Sequence, residues 1–311
     1  MSFSVSVKNE LARLSGETDC CHRAELASLL RMGGAVLIGG QQSMGVTFTT
    51  ENAAVARKVL TLLKQGFGLR TEVVVSRGRR LKKTNTYIVK VAPAPAVTVL
   101  LSRLGIFRGD SLHAGEDQEL LKKACCRRSY LRGAFLGGGS VNKPEGDYHL
   151  ELVTESGEFA RNLVRIMKSF ALTARVTDRK NDYIVYLKGG DDITSFLSII
   201  GAHQALLDFE NVRVVKDVRN QVNRLVNCET ANLQKTVNAA LRQVEKIRFL
   251  AERQGLANLP AALRETAEVR LALPEATLSE LVEALDNRVS KSGINHRLRK
   301  LEQLADEWQE G

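Results

Sequence analysis

Apolar positions along the chain keep two rhythms: a period near 3.6, which marks amphipathic helices, and a period of 2, which marks half-buried strands. Leu26, Leu29, Leu30 and Gly33 fall at i, i+3, i+4 and i+7, as do Leu131, Ala134, Phe135 and Gly138, predicting helices over about 22–33 and 127–137. A strand pair follows each, ending at Thr49 and Val153, where apolar and polar residues alternate over 45–49 and 148–153. Helices over about 53–66 and 157–169 come next. Strands over 70–76 with 86–92, and 174–178 with 183–187, lead to closing helices near 95–105 and 190–201. The order is αββαββα, twice.

The two copies are related in sequence as well as in pattern. At a constant offset of 105, Cys20, Cys21, Arg23, Leu26, Gly33, Gly34 and Val36 meet Cys125, Cys126, Arg128, Leu131, Gly138, Gly139 and Val141 without a gap. Downstream, Phe48-Thr49-Thr50-Glu51 answers Leu152-Val153-Thr154-Glu155, Phe67 answers Phe170, and Tyr87-Ile88-Val89 answers Tyr183-Ile184-Val185. A whole supersecondary unit has been duplicated.

The last third follows a different pattern. Residues 204–254 read as almost continuously helical, with Leu233, Val237, Leu241, Val244 and Ala251 near helical spacing and Gly255 as the stop. Asn220, Asn223, Arg224 and Asn227 share one face of that stretch, either as a polar surface for DNA phosphates or the neighbouring domain, or as an N-cap or linker irregularity. Pro260 restarts the chain, and helices are predicted over about 261–272, 278–285 and 291–308, the second opening on the capping-box spacing Thr277 to Glu280. In the last helix Ile294, Leu298, Leu301, Ala305 and Trp308 form an apolar stripe. Ser290, Lys291, Ser292, Asn295, His296, Arg297, Arg299 and Lys300 lie outside it and carry the chemistry that reads base edges and phosphates. Three helices with a short turn before the third suit a helix-turn-helix over about 274–308.

Small residues crowd the first helix of each copy: Ala27, Ser28, Gly33 and Gly34 in one, Gly133, Ala134, Gly137 and Gly138 in the other. Two such helices can approach backbone to backbone at a pseudo-twofold axis. The stretches 26–34 and 131–139 resemble the signature helices of the LAGLIDADG homing endonucleases, whose duplicated αββαββα fold also matches. In those nucleases the last acid of each signature helix holds the catalytic metal, and here Gly33 and Gly138 stand in its place. The resemblance therefore implies a scaffold without nuclease chemistry, since metal-assisted hydrolysis needs carboxylates on both helices. Glu51, Asp147, Glu151 and Glu155 are the other carboxylates near by and read as solvated or capping residues.

Composition adds a partner class. The net charge is +10 and the pI about 9.5, the balance of a chain that meets phosphate. Residues 224–311 hold 13 basic and 13 acidic side chains, so the whole excess lies on the first two-thirds. Within it, Arg79, Arg80, Lys82 and Lys83 form a basic loop suited either to a phosphate backbone or to a solvated turn. No apolar run approaches a membrane span and no leader-like pattern opens the chain, so a cytoplasmic location and no membrane partner are expected. The five cysteines, Cys20-Cys21, Cys125-Cys126 and Cys228, include no Cys-x-x-Cys pair and are odd in number. Reduced thiols, no metal and no cofactor are the expectation.

With degenerate endonuclease-like repeats, the stretch 219–232, and a helix-turn-helix containing the run 290–301 in one chain, the sequence resembles the bacterial WhiA family over essentially its full length. That resemblance implies an α+β fold in which the repeats (about 20–105 and 125–203, within a domain 1–218) form a pseudo-twofold scaffold, followed by an all-α helix-turn-helix domain at 219–311. It also implies a non-enzymatic, nucleoid-associated transcription regulator that binds double-stranded DNA chiefly through the helix-turn-helix, with roles in cell division, chromosome segregation and sporulation septation. A protein-interaction scaffold that docks RNA polymerase, a co-regulator or a division partner is the alternative, with a residual homing endonuclease behind it.

Overall fold

A computed structural model describes residues 2–14, 18–40, 43–77, 85–108, 111–112 and 118–310. The basic loop with Arg79, Arg80, Lys82 and Lys83 lies outside the described residues. The chain divides into two compact units, Met1–Lys216 and Asp217–Gly311.

In the first unit the duplicated order is present in full. Helix α2 (Asp19–Gly33), strands β1 (Gly34–Ile38) and β2 (Met44–Thr50), α3 (Ala53–Phe67), β3 (Glu72–Arg77), β4 (Asn85–Val91) and α4 (Pro95–Arg103) make the first repeat. A short antiparallel strand pair, β5 (Phe107–Arg108) with β6 (Ser111–Leu112), follows. Then α5 (Ala124–Gly138), β7 (Gly139–Val141), β8 (Leu150–Thr154), α6 (Gly157–Lys168), β9 (Arg175–Arg179), β10 (Asp182–Leu187) and α7 (Gly190–Ile200) make the second. Each repeat forms a four-stranded antiparallel sheet of the same order, β1-β2-β4-β3 and β7-β8-β10-β9. The register repeats too, Gly34 pairing with Phe48 and Gly139 with Leu152.

Alternation decides which face each sheet buries. Val46, Phe48, Val89 and Val91 point into the core from one sheet, and Leu150, Leu152, Val185 and Leu187 from the other, while Lys90 is exposed on the opposite face. A single hydrophobic core runs through both repeats and takes in Phe209 of the long helix α8 (His203–Arg253), which packs near Phe3 and Tyr148.

One element was not foreseen. The N-terminal stretch, in which the sequence shows only alternating serines and valines, is helix α1 (Phe3–Arg13). Ser2 caps it by accepting from the Val5 N–H, and Val7 and Leu11, one helical turn apart, are fully buried. Ser4 Oγ bonds both the N–H and the carbonyl of Val141, at 2.8 and 2.7 Å, so α1, which also packs on α3, bridges the two repeats. Packing against both copies overrides the local alternation.

The centre of the scaffold is the crossing of α2 and α5, the most extensive helix pair of the unit. A Cβ added at Gly137 would come within 2.5 Å of Met32 Cβ, and one at Gly133 would meet the Glu25 carbonyl and the Ser28 hydroxyl. Only glycine allows the two backbones this approach. Beside the crossing, Glu25 is fully buried between Lys58 Nζ and an Arg132 guanidinium nitrogen, each 3.3 Å from a carboxylate oxygen. Lys58 also donates to the Leu14 carbonyl, and Arg132 to Ser129 Oγ at 3.1 Å and the Ile200 carbonyl at 3.4 Å. These bonds offset the desolvation of three charges.

In the second unit the C-terminal part of α8 packs with a single 3-10 turn (Leu256–Asn258), α9 (Ala261–Ala272), α10 (Leu278–Ala284) and α11 (Lys291–Glu310) around a separate core that includes Ile247, Leu250, Ala267, Leu281, Leu298 and Leu301.

Removing the Glu25 carboxylate should strand Lys58 and Arg132 inside the protein. Glu25→Ala is expected to cost the scaffold about 3–5 kcal/mol. All five tyrosines lie in the first unit and the single tryptophan in the second, so near-ultraviolet tyrosine signals should report the loss in urea while Trp308 fluorescence holds its midpoint. An unchanged tyrosine transition would refute the triad's role.

Candidate nucleic-acid interface

Helix α10 begins with the capping box read in the sequence. The Thr277 N–H donates to Glu280 Oε2 at 2.6 Å, and the Glu280 N–H to Thr277 Oγ1 at 3.4 Å. Hydrogen bonds to the carboxylate from the Thr277 backbone N–H, and secondly from its side chain, hold the Glu280 pKa below its ordinary value. The turn that follows places Asp286 and Asn287 in the left-handed region, at φ 55° and 58°, a conformation these two residue types tolerate best among those with a Cβ. Arg288 locks the turn by reaching Glu265 at 3.0 Å, Asp286 at 3.4 Å and the Leu285 carbonyl at 3.3 Å. Ser290 then caps α11, its Oγ accepting from the Gly293 N–H at 3.2 Å.

The core face of α11 is Ile294, Leu298, Leu301 and Ala305, all fully buried. Trp308, which the sequence placed in this stripe, is 52% exposed: the buried stripe ends one turn earlier, at Ala305, although Lys246 of α8 still reaches Asp306 and Gln309. The flanks are held by ion pairs, Arg242 with Glu302 at 3.0 Å and Lys246 with Asp306 at 2.5 Å.

The remaining side chains of α11 divide by commitment. Arg297, grouped in the sequence with the outward residues, turns back to α9, donating to the Ala262 carbonyl and to Thr266 Oγ1, each at 3.3 Å. Lys291, Ser292, His296, Arg299 and Lys300 are exposed and Asn295 is half-buried, and none has a hydrogen bond or ion pair with any described residue. At about 100° per residue, Ser292, His296, Arg299 and Lys300 fall on the side away from the core. Gln303, which sequence reasoning missed, lies in the middle of that face and is exposed. Its amide at helical spacing from Arg299 was the available signal. On α8, Asn220, Asn223, Arg224 and Asn227 are all exposed, with Val222, Leu225 and Val226 exposed among them.

In the scaffold, Gly33 and Gly138 end α2 and α5, and the space beside each is filled. A Cβ at Gly33 would lie 3.0 Å from the Phe48 ring, and one at Gly138 2.7 Å from the Val153 carbonyl. Glu151 accepts from Ser140 Oγ at 3.0 Å, while Glu51, Asp147 and Glu155 are exposed. Close by, a cavity of about 1060 Å³ is lined by Lys8, Arg13, Arg57 and Gly137, with Glu51 as its acid. Burial lowers the Lys8 ammonium pKa to about 8. None of these three cations was singled out in the sequence, because no local run marks them.

The structure also gathers what the sequence left as two unconnected thiol pairs. Among the described residues, Cys20, Cys21, Cys125 and Cys126 make the one group of three or more metal-ligating side chains within mutual reach. The Thr18 hydroxyl and the Cys126 thiol pull the Cys20 pKa down to about 7, whereas burial pushes that of Cys126 up. The cue was the identity of both pairs at the head of the repeat alignment.

A duplicated αββαββα scaffold crossing at two glycine-rich helices, joined to a trihelical unit with a capped final helix, defines a LAGLIDADG-like protein with a helix-turn-helix. Family models agree piece by piece: the WhiA N-terminal LAGLIDADG-like domain matches residues 19–107, the WhiA LAGLIDADG-like domain 127–219, and the WhiA C-terminal HTH domain 222–305. The chain belongs to the WhiA family. It is 55% identical over 313 residues to a probable cell division protein WhiA of Desulforamulus reducens, covering 100% of this chain and 97% of that one. A protein of the same description from Heliobacterium modesticaldum is 55% identical over 307 residues, covering 98% and 96%. The crystal structure of full-length DUF199/WhiA from Thermatoga maritima aligns with TM-score 0.59 and 26% identity over 99% of both chains. That of the N-terminal LAGLIDADG domain of DUF199/WhiA shares the scaffold fold, with TM-score 0.52 and 22% identity over 64% of this chain and 90% of that one. No helix among the described residues is long and apolar enough to cross a membrane.

Proposed function

We propose that this chain is a sequence-specific, non-enzymatic regulator that binds double-stranded DNA at the nucleoid and acts in cell division and chromosome segregation, and in sporulation septation where its host sporulates. The observation that carries the reading is the set of uncommitted polar side chains on α11, in a unit where Arg242, Lys246, Arg288 and Arg297 are bound internally. Asn295, Arg299 and Gln303 offer the paired donors and acceptors that read adenine and guanine edges, Lys291 and Lys300 the charge that meets phosphate, and Ser290, Ser292 and His296 further polar contacts. The kinship with relatives named for cell division supports the cellular role.

The scaffold serves as a second, sequence-independent contact. The net positive charge lies on its side of the chain, with Lys8, Arg13 and Arg57 around one cavity and Arg79, Arg80, Lys82 and Lys83 in its basic loop. Asn220, Asn223, Arg224 and Asn227 add donors on α8. Cleavage is not part of the function, because the acid positions of the resembling nucleases are glycines whose neighbouring space is taken by Phe48 and the Val153 carbonyl.

Asn295→Ala, Arg299→Ala and Lys300→Ala together should abolish the preference for a specific over a scrambled duplex in fluorescence anisotropy, each lost base contact being worth about 1–3 kcal/mol. Undiminished preference would remove α11 as the reading element. The slope of log K against log salt should be steeper for the full chain than for residues 217–311, which have their own core, by roughly 0.9 per scaffold phosphate contact. Equal slopes would refute the scaffold's share. Supercoiled plasmid incubated with the full chain and Mg²⁺ or Mn²⁺ should stay un-nicked; nicking that tracks the purified protein would overturn the non-enzymatic reading.

A further inference from the structure

The two Cys-Cys pairs open the two central helices. Cys20 and Cys21 lie in the first turn of α2, Cys125 and Cys126 in the first turn of α5, and all four sulfurs lie within 4.8 Å of one another. A tetrahedral zinc ion with Zn–S bonds of about 2.3 Å sets its four sulfurs on the order of 3.8 Å apart, so a small contraction of the cluster completes the shell. An iron–sulfur cluster, which places thiolates on separate irons, needs a wider frame than this.

The surroundings are built for thiolates. Thr18 is the N-cap of α2, yet its hydroxyl makes no bond to the helix backbone. It lies instead 3.1 Å from Cys20 Sγ and 3.2 Å from Cys21 Sγ, the outer-shell hydrogen bonding that orients metal ligands. Two helix N-termini converge on the sulfurs and present their positive ends. A cavity of about 320 Å³ beside Cys20 and Cys126 is lined by Arg23, Arg103, Lys122 and Lys123 against one acid, Glu119. Four thiolates around Zn²⁺ carry a net charge of −2, which this basic rim offsets. Two of the four cysteines are half-exposed, so an ion has a path in, and burial as small apolar side chains does not account for the set.

We propose that Cys20, Cys21, Cys125 and Cys126 form a tetrahedral thiolate site for a single zinc ion that ties together the N-termini of α2 and α5, one ligand pair from each repeat. Binding is a Lewis acid–base step without redox change: four Zn–S bonds form and the four thiol protons pass to solvent. The glycines hold the helices together along their length, and the metal pins them at the end where the chain enters each repeat.

The test uses the full chain, purified without chelators in a non-thiol reductant and analysed by elemental mass spectrometry. About one zinc per chain is expected, and exchange with Co²⁺ should give the visible bands of tetrahedral cobalt with intense near-ultraviolet thiolate charge transfer. Cys20→Ser and Cys126→Ser should each lower bound zinc to below about a tenth of the wild-type content, whereas Cys228→Ser, on exposed α8, should leave it unchanged. Thr18→Val should weaken zinc binding about 10–100-fold. Metal-free wild-type protein with four titratable thiols in the cluster, iron with acid-labile sulfide, a disulfide joining the two pairs, or an octahedral cobalt spectrum would each overturn the site. If a serine variant does not fold, the stoichiometry and cobalt spectrum of the wild-type chain decide.

Discussion

The close approach of α2 and α5 is the constraint on which the scaffold rests. Two helix backbones meet only where side chains are absent, and Gly133 against Ser28 and Glu25, with Gly137 against Met32, supplies that absence. The crossing sets the pseudo-twofold relation of the two sheets, lets one core run through both repeats, and buries Glu25 between Lys58 and Arg132. Gly33 and Gly138, which end these helices, carry no side chain, and the Phe48 ring and Val153 carbonyl occupy the space beside them. At these two positions the volume a side chain would take is used for contact.

Much of this architecture was legible in the chain because it is written in local periodicity. The constant offset of 105 between Cys20–Val36 and Cys125–Val141 exposes the duplication, and the inward-pointing Val46, Phe48, Leu150 and Leu152 follow from alternation alone. Helix α1 did not show, since its apolar residues bury only against both repeats at once, and a window on the sequence holds neither partner. The Glu25 triad joins residues 33 and 107 positions apart. The assembly of four cysteines likewise exists only after α2 and α5 pack.

The candidate interface was legible to a different degree. Its helix, and its apolar stripe as far as Ala305, are local features and stand where the spacing puts them, while Trp308 is exposed. Commitment is not local: Arg297 and Arg299 are two residues apart and chemically identical, yet one is tied to Ala262 and Thr266 while the other is exposed, with no side-chain partner among the described residues. Composition cannot separate them. The geometry of α9 does, because Ala262 and Thr266 offer their oxygens one turn apart on the side that Arg297 faces.

Fusing two repeats into one chain also allows packing that two identical copies could not adopt. Ser28 and Gly133 are equivalent positions, as are Met32 and Gly137, and each large or polar member faces its own small counterpart across the crossing. In a symmetric pair both members would be the same residue, leaving either a void or a collision at the axis. The same freedom lets Glu25 have Tyr130 as its counterpart and Arg132 have Ala27, so one buried acid meets its cation across the axis without a second, like-charged set beside it. Where the repeats remain identical, at Cys20-Cys21 and Cys125-Cys126, divergence would remove half of a fourfold ligand set. Symmetry is thus relaxed at Ser28, Met32 and Glu25, where shapes and charges interlock, and kept at the four cysteines proposed to share one ion.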